Sequence, residues 1–314
     1  HHRAGASRYM VEPNIKEGKG GLRDLHTLFW IARCRYGFER PQDYIDAGVF
    51  SAEDWTAFRR AQEFLWTVRC HLHGIAGRAE ERLSFNVQPE LARRLGYGER
   101  RNQSGVERFM KRYFLVAKRV GALTRVLCAK LESDQAKRAP QGLQRLLPGS
   151  RADPRAEAPA GFCVDSGRLN VEAPDTFDTP VNLIRLFAIA DERSLDVHPS
   201  ALGEATRRLK LINASVRRDP DANAAFLDVV ASPRQPAAAL GLMNEAGVLG
   251  HFLPEFGRIV AQMQFNMYHH FTVDEHTLRG IEVISEIEKG LHEESHPLAT
   301  SIFPKIINRR ALYL

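Results

Sequence analysis

Apolar residues recur at helical spacing through most of this chain. After glycines at 18, 20 and 21, the residues Leu25, Leu28, Phe29 and Ala32 follow an i, i+3, i+4, i+7 pattern. This predicts a helix running to about Tyr36, stopped by Gly37. Ser51 with Asp54 forms a helix-start box, and Trp55, Phe58, Ala61, Leu65, Val68, Leu72 and Ile75 then mark one face of a long helix. A third helix is predicted from about Ser104 to Glu132, with Val106, Phe109, Met110, Tyr113, Phe114, Ala117 and Val120 inward. Residues 9–12 form a short apolar-polar run that reads as a strand. The pattern fails over 133–160, where Ala, Pro, Gly and charge dominate without a long apolar face. That stretch reads as a linker or surface excursion. Alternation around Asp165-Ser166-Gly167 predicts a small hairpin. Helical pattern returns over 179–194, 199–215, 221–231 and 235–246, with a short helix at 253–256 and a last unit from about Asp274. The predicted fold class is mainly α, in helical bundles.

A length of 314 residues is too long for one ordinary core and implies two or three domains. The net charge of +6 comes from scattered pairs, namely Arg59-Arg60, Arg93-Arg94, Arg207-Arg208, Arg217-Arg218 and Arg309-Arg310. A mild excess of this kind attracts nucleotides, acidic proteins or nucleic acid, and equally suits solvated helix faces. It does not form the concentrated basic face with aromatics expected of an RNA binder, so nucleic acid is not the expected partner. Cys34, Cys70, Cys128 and Cys163 are far apart in sequence, which fits reduced thiols in a cytoplasmic protein. No apolar run approaches the ~20 residues of a membrane span, and no signal peptide is evident. The chain starts at His1-His2 and stops at "NRRALYL", inside an apparent helix, so it is expected to be an internal piece of a longer protein.

Two stretches hold candidate chemistry. In "EPNIKEGKGGLRDL" the glycines permit a tight turn and close approach to a phosphate, Lys16 or Lys19 offers positive charge, and Glu12 offers a carboxylate to Mg2+. The alternative is a structural turn with Arg23-Asp24 as helix-start charges. Five of the twelve histidines fall between His269 and His296. His276 sits in a helix opened by Asp274 and Glu275, where it is either a metal ligand or a packed or surface histidine. Cys70 and His73, three apart, read as helix packing. No Ser-His-Asp or Cys-His arrangement stands out.

"EPNIKEGKGGLRDL" resembles the segment that closes the nucleotidyltransferase domain of the bifunctional PII uridylyltransferase/uridylyl-removing enzyme family. "FLWTVRCHLH", "GRAEERLSF" and "LGYG" are similar to its following helical domain, and "MNEAGVLGHFLPEF" and "MQFNMYHHFTVDEHTL" to the entrance of its HD-type hydrolase domain. The resemblance implies a division into 1–24 (transferase edge), 25–132 (helical domain), 133–160 (linker), 161–262 (hairpin plus helices) and 263–314 (start of the hydrolase domain). It implies a nitrogen sensor that moves UMP from UTP to a tyrosine of the PII signalling protein and removes it by hydrolysis, with glutamine as effector. Mg2+ is implied at the transferase site, and Mg2+ or Mn2+ at the HD site. On this likeness Glu12 matches the third transferase carboxylate. Gly18, Gly20, Gly21 and Arg23 shape the nucleotide-site wall, and His276 is the first HD histidine. The family's Gly-Ser and Asp-x-Asp motifs and its paired His-Asp are absent from these residues, so this piece is expected to be inert alone. Two other readings compete: a helical docking module without catalysis, and an RNA-directed nucleotidyltransferase with an HD domain.

Overall fold

The computed structural model describes residues 9–100, 103–136, 158–265 and 268–314; most of the predicted linker, residues 137–157, lies outside these. The chain packs as two compact units. The first joins the N-terminal part, up to Ala136 as described, to Ala261–Glu275, and the second joins the residues from 158 to Val260 to His276–Leu314.

In the first unit, α1 (Leu22–Tyr36), α2 (Pro41–Asp46), α3 (Ala52–Ala76), α4 (Gln88–Arg94) and α5 (Gly105–Ala136) form a bundle in which α5 lies against α1, α3 and α4. The predicted punctuation is present. Gly37 takes a left-handed conformation and donates its N–H to the Arg33 carbonyl, and the Ser51 hydroxyl accepts the Asp54 N–H at 3.0 Å. The predicted faces also turn inward: Phe58, Ala61, Leu65, Val68 and Leu72 on α3, and Phe109, Met110, Tyr113, Phe114, Ala117 and Val120 on α5, are buried. Each large side chain so buried contributes roughly 1.5–3 kcal/mol. Trp55, Ile75 and Val106 are only half-buried, and α5 runs on to Ala136, past its expected end. The short α2 went unread in the sequence. It is held by an aromatic cluster in which Tyr44 stacks on Trp55 with ring centroids 5.9 Å apart.

The strand expected at 9–12 is a single antiparallel bridge, Met10 to Phe271. Val11 donates to the His270 carbonyl and Thr272 to that of Tyr9, both at 3.0 Å. The next donor in the ladder would be residue 13, a proline without an N–H. Residues 9–24, read as the edge of a preceding domain, pack with the helices that follow them; Tyr9, Val11 and Ile15 are buried.

In the second unit, β1 (Phe162–Asp165) and β2 (Arg168–Val171) form the expected hairpin, with Ser166 and Gly167 both at positive φ in its turn. An unpredicted two-residue β3 (Asp196–Val197) adds parallel to β2. The helices α6 (Asn182–Arg193), α7 (Pro199–Arg207), α8 (Pro220–Val230), α9 (Pro236–Ala246), α10 (Val248–Phe252) and α11 (Pro254–Ile259) enclose a core built on Leu183, Ile184, Leu186, Phe187, Val229 and Met243. α7 stops at Arg207 and not at 215, and two 3-10 turns follow it. The Asn213 side chain accepts the N–H groups of Ser215 and Val216, which diverts the backbone from helix. α12 (Val273–Glu288) begins in the first unit and continues into the second, followed by α13 (Pro297–Ile302) and α14 (Arg309–Tyr313). Leu278 and Tyr313 join the second core. The architecture is mainly helical with one small three-stranded sheet.

Candidate functional site

The glycine turn closes upon itself. The Asn14 side-chain oxygen accepts the N–H groups of Lys16 and Glu17 at 2.9 and 2.7 Å. Gly18 donates to the Asn14 carbonyl, Gly21 to that of Gly18, and Gly20 to the Asp24 carboxylate at 2.7 Å. All three glycine N–H groups are thus used inside the loop and offer no donors to a phosphate. Packing explains the residue type. Gly20 has φ +79, and a Cβ there would stand 2.3 Å from the Ala117 carbonyl oxygen of α5. A Cβ on Gly18 would stand 2.4 Å from the Asn14 oxygen, and one on Gly21 2.7 Å from that of Ile15. Arg23 is exposed and forms a two-bond ion pair with Glu17, whose carboxyl it holds below the usual range.

The segment ahead of the turn is bonded to the loop before α4. Leu83 donates to the Pro13 carbonyl and Ile15 to that of Glu81. The buried Gln88 amide donates to the carbonyls of both Val11 and Leu83 at 2.8 Å. Glu12 is part of this joint. One carboxylate oxygen accepts the Phe85 N–H at 2.8 Å, and the other meets the Arg82 guanidinium at 3.0 Å. Beneath the loop, Arg69 grips Glu81 through Nε and Nη2 at 2.6–3.2 Å, with His73 Nε2 at 3.7 Å. The Arg69 hydrogen bonds lower the Glu81 carboxyl against the opposing effect of partial burial. Of the Cys70–His73 pair, read as helix packing, His73 is turned to Glu81 and Cys70 is exposed.

A concavity of about 400 Å³ opens beside Glu12, lined by Met10, Val11, Glu12, Arg82, Phe85, Asn86 and His270. It brings together a carboxylate, a guanidinium, an amide, an imidazole and an aromatic ring, and Phe265 meets Phe85 edge-on at 5.6 Å. Of these, the sequence singled out Glu12, and it raised His270 as one of five clustered histidines. Arg82 and Phe85 lie in the quoted "GRAEERLSF", but nothing in that motif shows that it closes on residue 12.

His276 is exposed on α12, two residues after the buried Asp274. Of the other clustered histidines, His292 lies between Glu286 (2.8 Å) and Ser295 (3.1 Å), and His296 lies beside Ser295. Among the described residues no three His, Cys, Asp or Glu side chains converge to hold a metal ion. The four cysteines form no disulfide. No helix among the described residues is long and apolar enough to cross a membrane.

Residues 1–128 match the family model of the GlnD PII-uridylyltransferase, and residues 162–252 that of the uridylyltransferase GlnD third domain. A bifunctional uridylyltransferase/uridylyl-removing enzyme of Caulobacter vibrioides (strain NA1000 / CB15N) is 59% identical over 313 residues, covering 99% of this chain and 33% of its own length. One of Phenylobacterium zucineum (strain HLK1) is 56% identical over 315 residues, covering 100% and 34%. The chain thus spans about a third of the curated relatives it matches. No solved structure matches.

Proposed function

The chain belongs to the GlnD uridylyltransferase family, and from that premise we propose that it is part of a cytoplasmic enzyme that transfers UMP from UTP to a tyrosine of the PII protein and removes it by hydrolysis. The observation that carries this reading is the 59% identity maintained over 313 residues, across both compact units. Glutamine is the proposed effector of the whole enzyme.

On this reading the first unit forms one flank of the transferase site. Glu12, Arg82, Asn86 and His270 face a single concavity, with Lys16 and Lys19 on the glycine turn nearby in sequence. The Glu12 carboxylate has lone pairs beyond those taken by Arg82 and Phe85, since an ionised carboxylate offers about four acceptor sites. Gly18, Gly20, Gly21 and Arg23 shape the wall by fixing the turn.

Mg2+ or Mn2+ does not fit the described residues by themselves, because Glu12 is the one acidic side chain among them lining its concavity and no three His, Cys, Asp or Glu side chains of the described residues converge to hold a metal. No chemical step is therefore routed through a metal. His276 is proposed as one ligand of the hydrolase centre in the whole enzyme.

The test uses the whole enzyme with purified PII and labelled UTP. UMP incorporation, and its release on adding glutamine, are the expected results. His276→Ala should abolish release and leave incorporation intact. Absence of both activities from the whole enzyme would refute the reading.

A further inference from the structure

Outside the concavity beside Glu12, the first unit has a groove of about 500 Å³ running between α3 and α5. Its α3 wall is Ala52, Glu53, Thr56, Ala57, Arg60 and Ala61; its α5 wall is Arg112, Leu115, Val116 and Arg119. Half of the α3 side is alanine (Ala52, Ala57 and Ala61), which lets another backbone approach closely between Glu53, Thr56 and Arg60. On α5, Arg112 and Arg119 are seven residues apart, about 10 Å along the axis at 1.5 Å per residue. Leu115 and Val116 lie between them, and Leu115 stays 40% exposed. This is an apolar stripe flanked by positive charge, at the spacing of two helical turns.

Two of the three arginine charges are without a carboxylate partner among the described residues. Arg119 meets Asp54 at 3.0 Å, and Arg112 lies over the Phe64 ring at 5.8 Å. Among the described residues, neither Arg60 nor Arg112 has a carboxylate partner. Two of the paired arginine sets elsewhere are neutralised locally, Arg93 and Arg94 by Glu90, and Arg207 and Arg208 by Glu204. Arg60 and Arg112 thus stand exposed and without a described carboxylate beside the apolar stripe.

We propose that the groove between α3 and α5 docks an acidic amphipathic helix of a protein partner. A carboxylate on that helix pairs with Arg112, one on its other flank pairs with Arg60, and its apolar stripe covers Leu115 and Val116 against the alanines. An open groove with a long axis and no buried polar group aimed into it suits a helix better than a compact small ligand.

The test is fluorescence anisotropy with the 314-residue chain and a fluorescein-labelled peptide of three Glu-Leu-Ala-Ala-Leu-Glu-Ala heptads. Saturable binding is expected, at least tenfold weaker in R60E/R112E and in Ala57→Trp, which fills the groove. Arg60→Glu alone changes an exposed side chain and leaves the fold intact. It should still weaken binding several-fold, which guards against a misfolded double variant, and circular dichroism melts check all three. A peptide that does not bind, or binding that Ala57→Trp leaves unchanged, overturns the proposal. So does tighter binding of a single-stranded oligouridylate that is indifferent to Ala57→Trp, which would mark a general polyanion surface.

Discussion

Gly20 and Gly37 make a matched pair for testing why the glycine turn needs glycine. Both have positive φ, +79 and +70, but a Cβ at Gly37 meets nothing within 4 Å, whereas at Gly20 it falls 2.3 Å from Ala117 O and 2.7 Å from Ala117 Cα. An alanine at either site incurs the left-handed strain of roughly 1–2 kcal/mol, partly offset by the lower entropy of the unfolded chain. At Gly37 the net loss should be about 1 kcal/mol. At Gly20 the methyl group must also push the turn off the α5 backbone, a further loss of about 1–3 kcal/mol of the kind seen in overpacked cores. The assay is urea unfolding followed by tryptophan fluorescence, because all three tryptophans, Trp30, Trp55 and Trp66, lie in the first unit. With a slope near 2 kcal/mol per molar urea, Gly37→Ala lowers the midpoint by about 0.5 M and Gly20→Ala by about 1–2 M. If the two midpoints fall equally, backbone strain alone sets the residue type and the close approach to Ala117 has no energetic weight.

Arg69→Ala should destabilise the first unit by about 2 kcal/mol by leaving the partly buried Glu81 carboxylate without its two-pronged partner, and Arg69→Lys should recover less than half of that. Because the folded Glu81 pKa lies below its ordinary 4.5, the pair's stabilisation is complete above about pH 4.5 and is lost as pH falls through the lowered value. Glu81→Gln should therefore be the less stable protein at pH 7 and converge with wild type in acid, as followed by tryptophan fluorescence. The Glu12–Arg82 pair is half exposed, so Glu12→Gln and Arg82→Ala should each lose only about 0.5–1 kcal/mol, with the double variant no worse than either single. An additive double variant would show that the two side chains do not act together. In the second unit, Tyr313 donates to Glu288 at 2.7 Å, and Arg309 binds both Glu288 and the Ala231 carbonyl. Hydrogen exchange of residues 309–313 should accelerate roughly fivefold in Tyr313→Phe, about 1 kcal/mol for one lost hydrogen bond, and further in Arg309→Ala.

The long helices were legible because burial selects apolar residues at the helical period, and α3 and α5 are long enough to show several turns of it. α2, α4, α13 and α14 are too short to display a period. Their stability comes from contacts made at a distance, such as Tyr44 on Trp55 or Tyr313 on Glu288. The two-residue β3 was invisible for the same reason, since its pairing with β2 rests on backbone bonds that any sequence can make. At the candidate site, Glu12 was singled out for its carboxylate, but its bonding partners were not, because Arg82 lies 70 residues away and Phe85 bonds the carboxylate through its backbone N–H, which its side chain does not signal.

Two of the motifs that resemble the family in the first unit, "EPNIKEGKGGLRDL" and "GRAEERLSF", are bonded to each other at Glu12–Arg82, Glu12–Phe85, Pro13–Leu83 and Ile15–Glu81. Each stretch therefore limits what the other can be, whatever chemistry lies beside them. The glycines illustrate this most directly. Their N–H groups are consumed within the loop, and a Cβ would meet the turn's own carbonyl oxygens at Gly18 and Gly21 and the α5 backbone at Gly20. A nucleotide beside this turn would meet side chains and not the glycine amides, which leaves Lys16, Lys19, Arg82 and His270 as the groups to vary when its binding is measured. Loss of binding without loss of stability in those variants would separate chemistry from architecture, a separation that substitutions at the glycines themselves cannot make.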